Sequence, residues 1–139
     1  MASIHNNIRA SLESHLSNTA NLPSIAYENV SFEPTTGTSF LKVQYLPTVT
    51  RPAVRGLNPQ LRYQGIFAVT VFAPEGKGPA TADDYTNKVI DAFAATTDIS
   101  FTNADGTIKV SIDYAERQQG IIDSPWYFVP INIGWYIYK

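Results

Sequence analysis

Apolar residues recur at every fourth position at the start of the chain: Ile4, Ile8, Leu12 and Leu16, with polar residues between them. That spacing lays one apolar stripe along a first helix of about four turns, which Asn21 and Pro23 bring to an end. The period then shortens to two. IAYENVSF reads as a short strand, and in FLKVQYLP the residues Leu41, Val43 and Tyr45 alternate with Lys42 and Gln44 until Pro47 stops them. Leu61 to Ala73 is apolar on both faces, with Tyr63, Phe67, Val69 and Val71 on one and Ile66, Ala68 and Phe72 on the other, as a central strand requires. After Pro79 a second helix is expected to bury Tyr85, Val89, Ala92 and Phe93. Thr81 and Asp84 have capping-box spacing, and Asp83 and Asp84 lie where the helix dipole favours acids. Asp105-Gly106 suits a type I′ hairpin turn, and Ile108, Val110, Ile112 and Tyr114 alternate after it. In the last segment Tyr127, Val129, Ile131, Ile133, Trp135 and Ile137 share a face, while Pro130 and Gly134 fall on the other, so the proline argues for an edge strand or a bulge. The elements predict an α+β fold, a mostly antiparallel twisted sheet of about five strands packed against two helices, in a single domain over residues 1–139.

One stretch breaks the pattern. PTVTRPAVRGLNPQ, residues 47–60, holds three prolines and one glycine and has no period; an irregular segment of that length in a small domain usually either carries function or is disordered. Charge sharpens the point. Residues 34–74 contain Lys42, Arg51, Arg55 and Arg62 and no acid, whereas residues 75–123 contain nine acids against four bases, a net −5. Two complementary faces that meet between copies of the chain would use this division. Val49, Val54 and Leu57 would then supply apolar contact, and Arg51, Arg55 and Arg62 the register, at an interface with another copy or with a tube. The chain has no cysteine, which removes disulfides and thiolate chemistry. Its first residues lack the apolar core of a signal peptide, and the longest apolar run is half a membrane span, so a soluble, unprocessed chain is expected.

Candidate chemistry fails position by position. The Gly76-Lys77 pair follows a strand and precedes a helix, but a phosphate loop would need glycine at Val71 and Ser or Thr at Gly78. Setting Gly106 at the glycine of a calcium loop puts Phe101 and Ile112 where carboxylates belong. His5 and His15 stand about 80° apart around the first helix, with nothing at ligand spacing. No Gly-x-Ser-x-Gly elbow is present. Asp113 and Glu116 could pair as catalytic carboxylates, yet they read more simply as a solvated strand end. The four basic residues sit mostly in one loop of a chain with net charge −2, which disfavours nucleic-acid readout. No catalytic residue, cofactor site or metal site is expected.

The aromatic content points elsewhere. Eight Tyr, seven Phe and two Trp occur, and the last strand alone carries Trp126, Tyr127, Phe128, Trp135, Tyr136 and Tyr138. Only one face of that strand can be core unless something covers the other, either a helix of this chain or a partner, since Tyr and Trp are enriched in interface cores. The blocks IAYENVSFEP, YLP, LRYQGIFAVTVFAPEGKGPATA and DSPWYFVPINIGWYIY resemble, in order and spacing, those of the tail-terminator-like proteins of long-tailed bacteriophages. Tyr63-Gln64-Gly65 leading to Pro74-x-Gly76-x-Gly78-Pro79, and Trp126-Tyr127-x-Val129-Pro130, are the most specific pieces. The resemblance implies an α+β structural subunit of the virion, placed at the head-proximal end of the tail after assembly in the host cytoplasm. It implies a homo-oligomeric ring, of six copies, that caps the tail tube protein, ends polymerisation and meets the head connector or neck protein. DNA would pass through without specific binding, and no membrane is involved. A head-completion or connector protein is the alternative, and a small enzyme acting on tail or host material a more distant one.

Overall fold

Alternating strands and one striped helix pair assemble into a single sheet with helices on one side. The computed structural model describes residues 4–28, 30–34, 37–48, 50–52, 56, 60–76, 78–104 and 106–138. In chain order the elements are α1 (Ile4–Ser17), β1 (Ser24–Ala26), β2 (Phe40–Pro47), β3 (Arg51–Pro52), β4 (Leu61–Pro74), α2 (Ala80–Ala92), β5 (Asp98–Asn103), β6 (Gly106–Arg117), β7 (Ile121–Asp123) and β8 (Trp126–Tyr138). The sheet runs β1-β2-β4-β8-β6-β5, with β3 on the end of β4 and β7 on the end of β8. Every pair is antiparallel except β1 with β2. The α+β class holds, but among the described residues the sheet has eight strands, some of them very short, rather than about five, and is partly parallel. The additional strands β3 and β7 are two and three residues long, too short for alternation to be read.

Register sorts the side chains onto two faces. Odd-numbered positions of β4 and β8, with Leu41, Val43 and Tyr45 of β2 and Ile108, Val110 and Ile112 of β6, form one core with Ile8, Leu12 and Leu16 of α1 and Ala82 and Val89 of α2. Both helices lie on this closed face. The stripe of α2 differs from expectation: Ala82, Thr86, Val89 and then Phe93 are buried, and Tyr85 and Ala92 only half so. The capping box does not form. The helix begins at Ala80 with Pro79 already in αR geometry and no side-chain cap, so Thr81 is inside the first turn, and Asp83 is held instead by Arg117 at 2.8 Å.

Four further expectations change. Only Ser24–Ala26 of the first short strand pairs; Tyr45 donates its backbone N–H to the Glu28 carboxylate, so a side chain stands in where β1 has ended. The 47–60 stretch is not irregular throughout, since Thr48 donates its backbone N–H to Gln64 O at 2.9 Å and Arg51–Pro52 pair with β4. Asn103 pairs with Gly106, which therefore opens β6 at φ 113° rather than sitting inside the turn; Asp105 lies outside the described residues. Most instructive is β8, which is central, between β4 and β6, despite Pro130. The proline stands just past the last β6 pair, Arg117 with Ile131, and its carbonyl accepts from Gln118 N–H at 2.8 Å. Its missing N–H thus faces the end of β6, so the ladder forgoes one bond at its margin, the return bond to Gln118, and none in its interior.

Two close approaches lock this arrangement. Gly65 lets Trp135 and the β2 end pack against β4: a Cβ there would stand 2.5 Å from the Leu46 carbonyl oxygen and 2.7 Å from Trp135 Cζ2. Trp135, 1% exposed, stacks on Tyr45 at 5.3 Å between centroids, and the Tyr45 hydroxyl hydrogen-bonds His5 Nδ1 at 2.8 Å. Burial pushes the Tyr45 phenol up, partly opposed by the Arg9 guanidinium over its ring. At the other sheet edge, Ser111 and Lys109 hold the Asp98 carboxyl below its usual range. In β6 a bulge between Ile112 and Tyr114 leaves Asp113 without an opposite residue.

Candidate functional site: the open face of the sheet

Even-numbered residues of β2, β4 and β8 form the face that carries no helix, and register orders them in rows. Phe40, Phe72, Phe128 and Ile121 stand opposite one another across β2, β4, β8 and β7. Their rings make a ladder: Phe40 stacks on Phe72 at 4.5 Å, Phe72 meets Phe128 at 5.3 Å, and Trp126 and Phe32 approach Phe40 at 5.1 Å each. Ile121 remains 47% exposed at the end of the row. Beside it a groove of about 530 Å³ is lined by Tyr27, Val30, Phe32, Lys42 and Phe72.

Towards the middle the rows become small and polar, with Lys42, Thr70 and Pro130, then Gln44, Ala68, Asn132 and Glu116. A second apolar row follows, Leu46, Ile66, Gly134 and Tyr114. The bulge turns Tyr114 to this side, where its ring lies over Gly134 and occupies the space a Cβ would need. Leu46 is 47% exposed.

The far end is cationic. Arg51 and Arg62 are direct cross-strand partners, and Arg62 pairs with Tyr138 in turn. The Arg62 guanidinium lies 4.9 Å from the Tyr136 ring centroid and 5.8 Å from that of Tyr138. Like charges opposite one another destabilise a sheet unless something offsets them, and the two tyrosine faces are that offset here. Among the described residues neither arginine has an ion pair, and Arg62 Nε is buried with no hydrogen-bond partner. Arg51, Arg62, Gln64 and Tyr138 line a cleft of about 330 Å³.

Of the residues expected at an interface, the structure thus joins Arg51 and Arg62; Val49, Val54, Arg55 and Leu57 lie outside the described residues. Sequence reasoning named Tyr136 and Tyr138 as surplus aromatics but did not connect them to Arg62, since the connection depends on the β4–β8 register. Asp113 and Glu116 do not combine: Asp113 lines a cleft with Arg62 and Tyr114, and Glu116 is exposed opposite Asn132. Gly76 and Gly78 take positive φ, 86° and 75°, in the turn from β4 into α2, as a connection needs; Lys77 lies outside the described residues. Among the described residues no group of three His, Cys, Asp or Glu is placed to hold a metal, and no helix is long and apolar enough to cross a membrane. Adding ATP, GTP, calcium or zinc should therefore leave the melting temperature unchanged, and a saturable rise with any of them would show a site that these residues do not reveal.

Comparisons with known proteins bear on the fold and the family. A solved structure superposes on 99% of this chain and 97% of its own with a TM-score of 0.72, at 22% identity, a likeness that speaks for the fold. No curated protein matches. The family model for phage tail terminator proteins matches residues 7–135, a span that holds most of α1 and every strand up to Trp135 in β8. The chain belongs to the phage tail terminator family, structural proteins of the virion's tail.

Proposed function

We propose that copies of this chain form a ring, of six, that seats on the head-proximal end of the tail tube, ends its polymerisation and offers the surface that the head connector joins. The observation that supports this beyond family membership is the open sheet face. It presents an aromatic row at one end and a cation pair on tyrosines at the other, with no helix over either. An isolated sheet gains by burying such a face, and a structural protein whose neighbours are other proteins has the partners to do it. DNA crosses the ring without specific binding, because a −2 chain repeated six times is acidic as a whole.

Tube protein polymerised alone should give long tubes of mixed length, and addition of this chain should stop growth and leave it at one end of each tube. Tubes that lengthen unchanged, with the chain bound to connector instead, would favour a head-completion role. A second expectation concerns the 47–60 stretch. Among the described residues, replacing Val49–Leu57 by a short Gly-Ser linker removes the two β3 pairs of the sheet, and thermal unfolding should stay cooperative. Ring assembly or tube capping should nevertheless be lost, with apolar contacts accounting for most of the effect, since exposed ion pairs contribute about 0–1 kcal/mol each. A linker variant that fails to fold places the stretch in the core; one that still assembles and caps makes it idle.

A further inference from the structure

Resting on the ring reading, we infer that the Arg51–Arg62 end of the open face receives the outer stripe of α2, Asp84 and Asp91, from a second copy of this chain. Three observations converge on this contact. First, Arg62 has no acceptor among the described residues. It is held on Tyr136 and Tyr138 beside a second arginine, and its Nε is buried without a hydrogen-bond partner among the described residues. A guanidinium set beside a second arginine suits a carboxylate, which would relieve the repulsion between the two.

Second, the chain carries matching acids. Asp84 and Asp91 are exposed, seven residues apart on α2, and therefore on one side of the helix about 10 Å apart. Neither has an ion pair among the described residues, whereas Asp83 is taken by Arg117. Lys88, the one base nearby on the helix, is directed to Asn21 O at 3.4 Å and the Tyr85 ring. Ala80 and Asn87 flank the acids on one side; on the other stands Lys88, four residues after Asp84 and three before Asp91, its ammonium turned to those partners.

Third, the two patches point in opposite directions. α2 packs on the closed face, so its outer side looks away from the open face that holds Arg62. A contact that repeats around a ring needs two different patches on each subunit, pointing apart. Of the other exposed acids, Asp113, Glu116 and Asp123 fail this test because they belong to the open side with Arg62, and Asp98 and Glu75 are already engaged, by Lys109 and by Ser124. With a neighbour's α2 laid on it, the sheet would have helices on both faces, one of the stable layer arrangements.

The test uses charge exchange in the full-length chain. R51E/R62E turns the cationic end acidic, and D84R/D91R turns the helix stripe basic. Assembly is read by native mass spectrometry, free and on purified tail tubes, with circular dichroism melts to confirm that each variant is folded. Each variant alone should associate roughly a hundredfold more weakly than wild type, because like charges then face each other. An equimolar mixture of the two should assemble again, since every junction between unlike copies becomes complementary, and so should the fourfold variant. Should R51E/R62E unfold, D84R/D91R alone still decides, as its positions are exposed. The inference is overturned if D84R/D91R assembles like wild type, if neither mixture nor fourfold variant recovers, or if wild type stays monomeric both free and on tubes. Variants that lose assembly through this pairing and regain it on mixing support it. A wild-type chain that assembles and shows this loss and rescue, yet does not stop tube growth, would count against the capping reading and leave the contact standing.

Discussion

Gly65→Ala should lower stability by about 3 kcal/mol or more, near the upper end for inserting atoms into a packed interior, and the melting temperature by roughly 10 °C. The reason is what a single methyl would meet. Its carbon would stand 2.5 Å from the Leu46 carbonyl oxygen and 2.9 Å from Pro47 Cα, both main-chain atoms of the paired strand β2, and 2.7 Å from Trp135 Cζ2. A flexible side chain could swing aside, but β2 is pinned to β4 by a continuous ladder from Phe40 to Pro47, and the indole is enclosed. Gly65 needs no unusual dihedral for this effect; the constraint is space. Pairing Gly65→Ala with Trp135→Leu should recover part of the loss, the share due to the indole, and leave the share due to Leu46 and Pro47. Chemical denaturation of the single and double variants separates the two. A Gly65→Ala chain within 1 kcal/mol of wild type would show that β2 and β4 separate more readily than their register implies.

Leu12→Ala should cost about 3 kcal/mol, within the range for emptying a buried leucine site. α1 has little intrinsic support: fourteen residues, no acid in its first turn, and asparagines and serines that favour other conformations. It is helical because Ile8, Leu12 and Leu16, none with any exposure, dock into the closed face. Leu12 is the middle of the three, so neither helix end can fray to fill the space it leaves. His15 adds a tie at one end, donating from Nε2 to Ala92 O at 2.7 Å and meeting the Phe93 ring edge at 4.9 Å. Amide exchange should show loss of protection concentrated in α1 well before global unfolding. Unchanged exchange in α1, or a cost under 1 kcal/mol, would mean that its stripe is not what holds it.

What the sequence made legible was local and periodic. The fourfold spacing of Ile4 to Leu16 gave α1 to within a residue; twofold alternation found β2, β6 and β8 with their core faces, except Tyr114, which the bulge turns to the open side, and marked β4 as central without choosing its core face. Strand order was not legible, because it depends on pairings between residues up to about seventy apart, and Pro130 in isolation pointed β8 to an edge. Only the neighbouring break between β6 and β7 explains how a central strand accommodates it. The capping box failed for a similar reason. Pro79 already has helical geometry, so the helix starts before Thr81 could cap it. The candidate site was legible in pieces. Arg51 and Arg62 stood out by charge, and Tyr136 and Tyr138 by number, but eleven and seventy-odd residues of separation hid the fact that they form one cluster.

The extra residue in β6 settles which charge meets α2. Up to Ile112 the odd and even positions of that strand follow one assignment of inside and outside; past Asp113 the assignment is reversed. With the phase unshifted, Glu116 would stand opposite Ile131 on the helix side and would confront Asp83 with a like charge. As the strand is built, Arg117 takes that place and closes on Asp83 at 2.8 Å, while Glu116 is turned out opposite Asn132. Pairing Asp113 with Gly134 in a strand without the bulge would thus exchange an attraction for a repulsion at the first turn of α2 and turn the Tyr114 ring inward, whereas deleting Asp113 would keep Arg117 opposite Ile131, so a one-residue slip in one strand decides the sign of a contact between two layers of the fold.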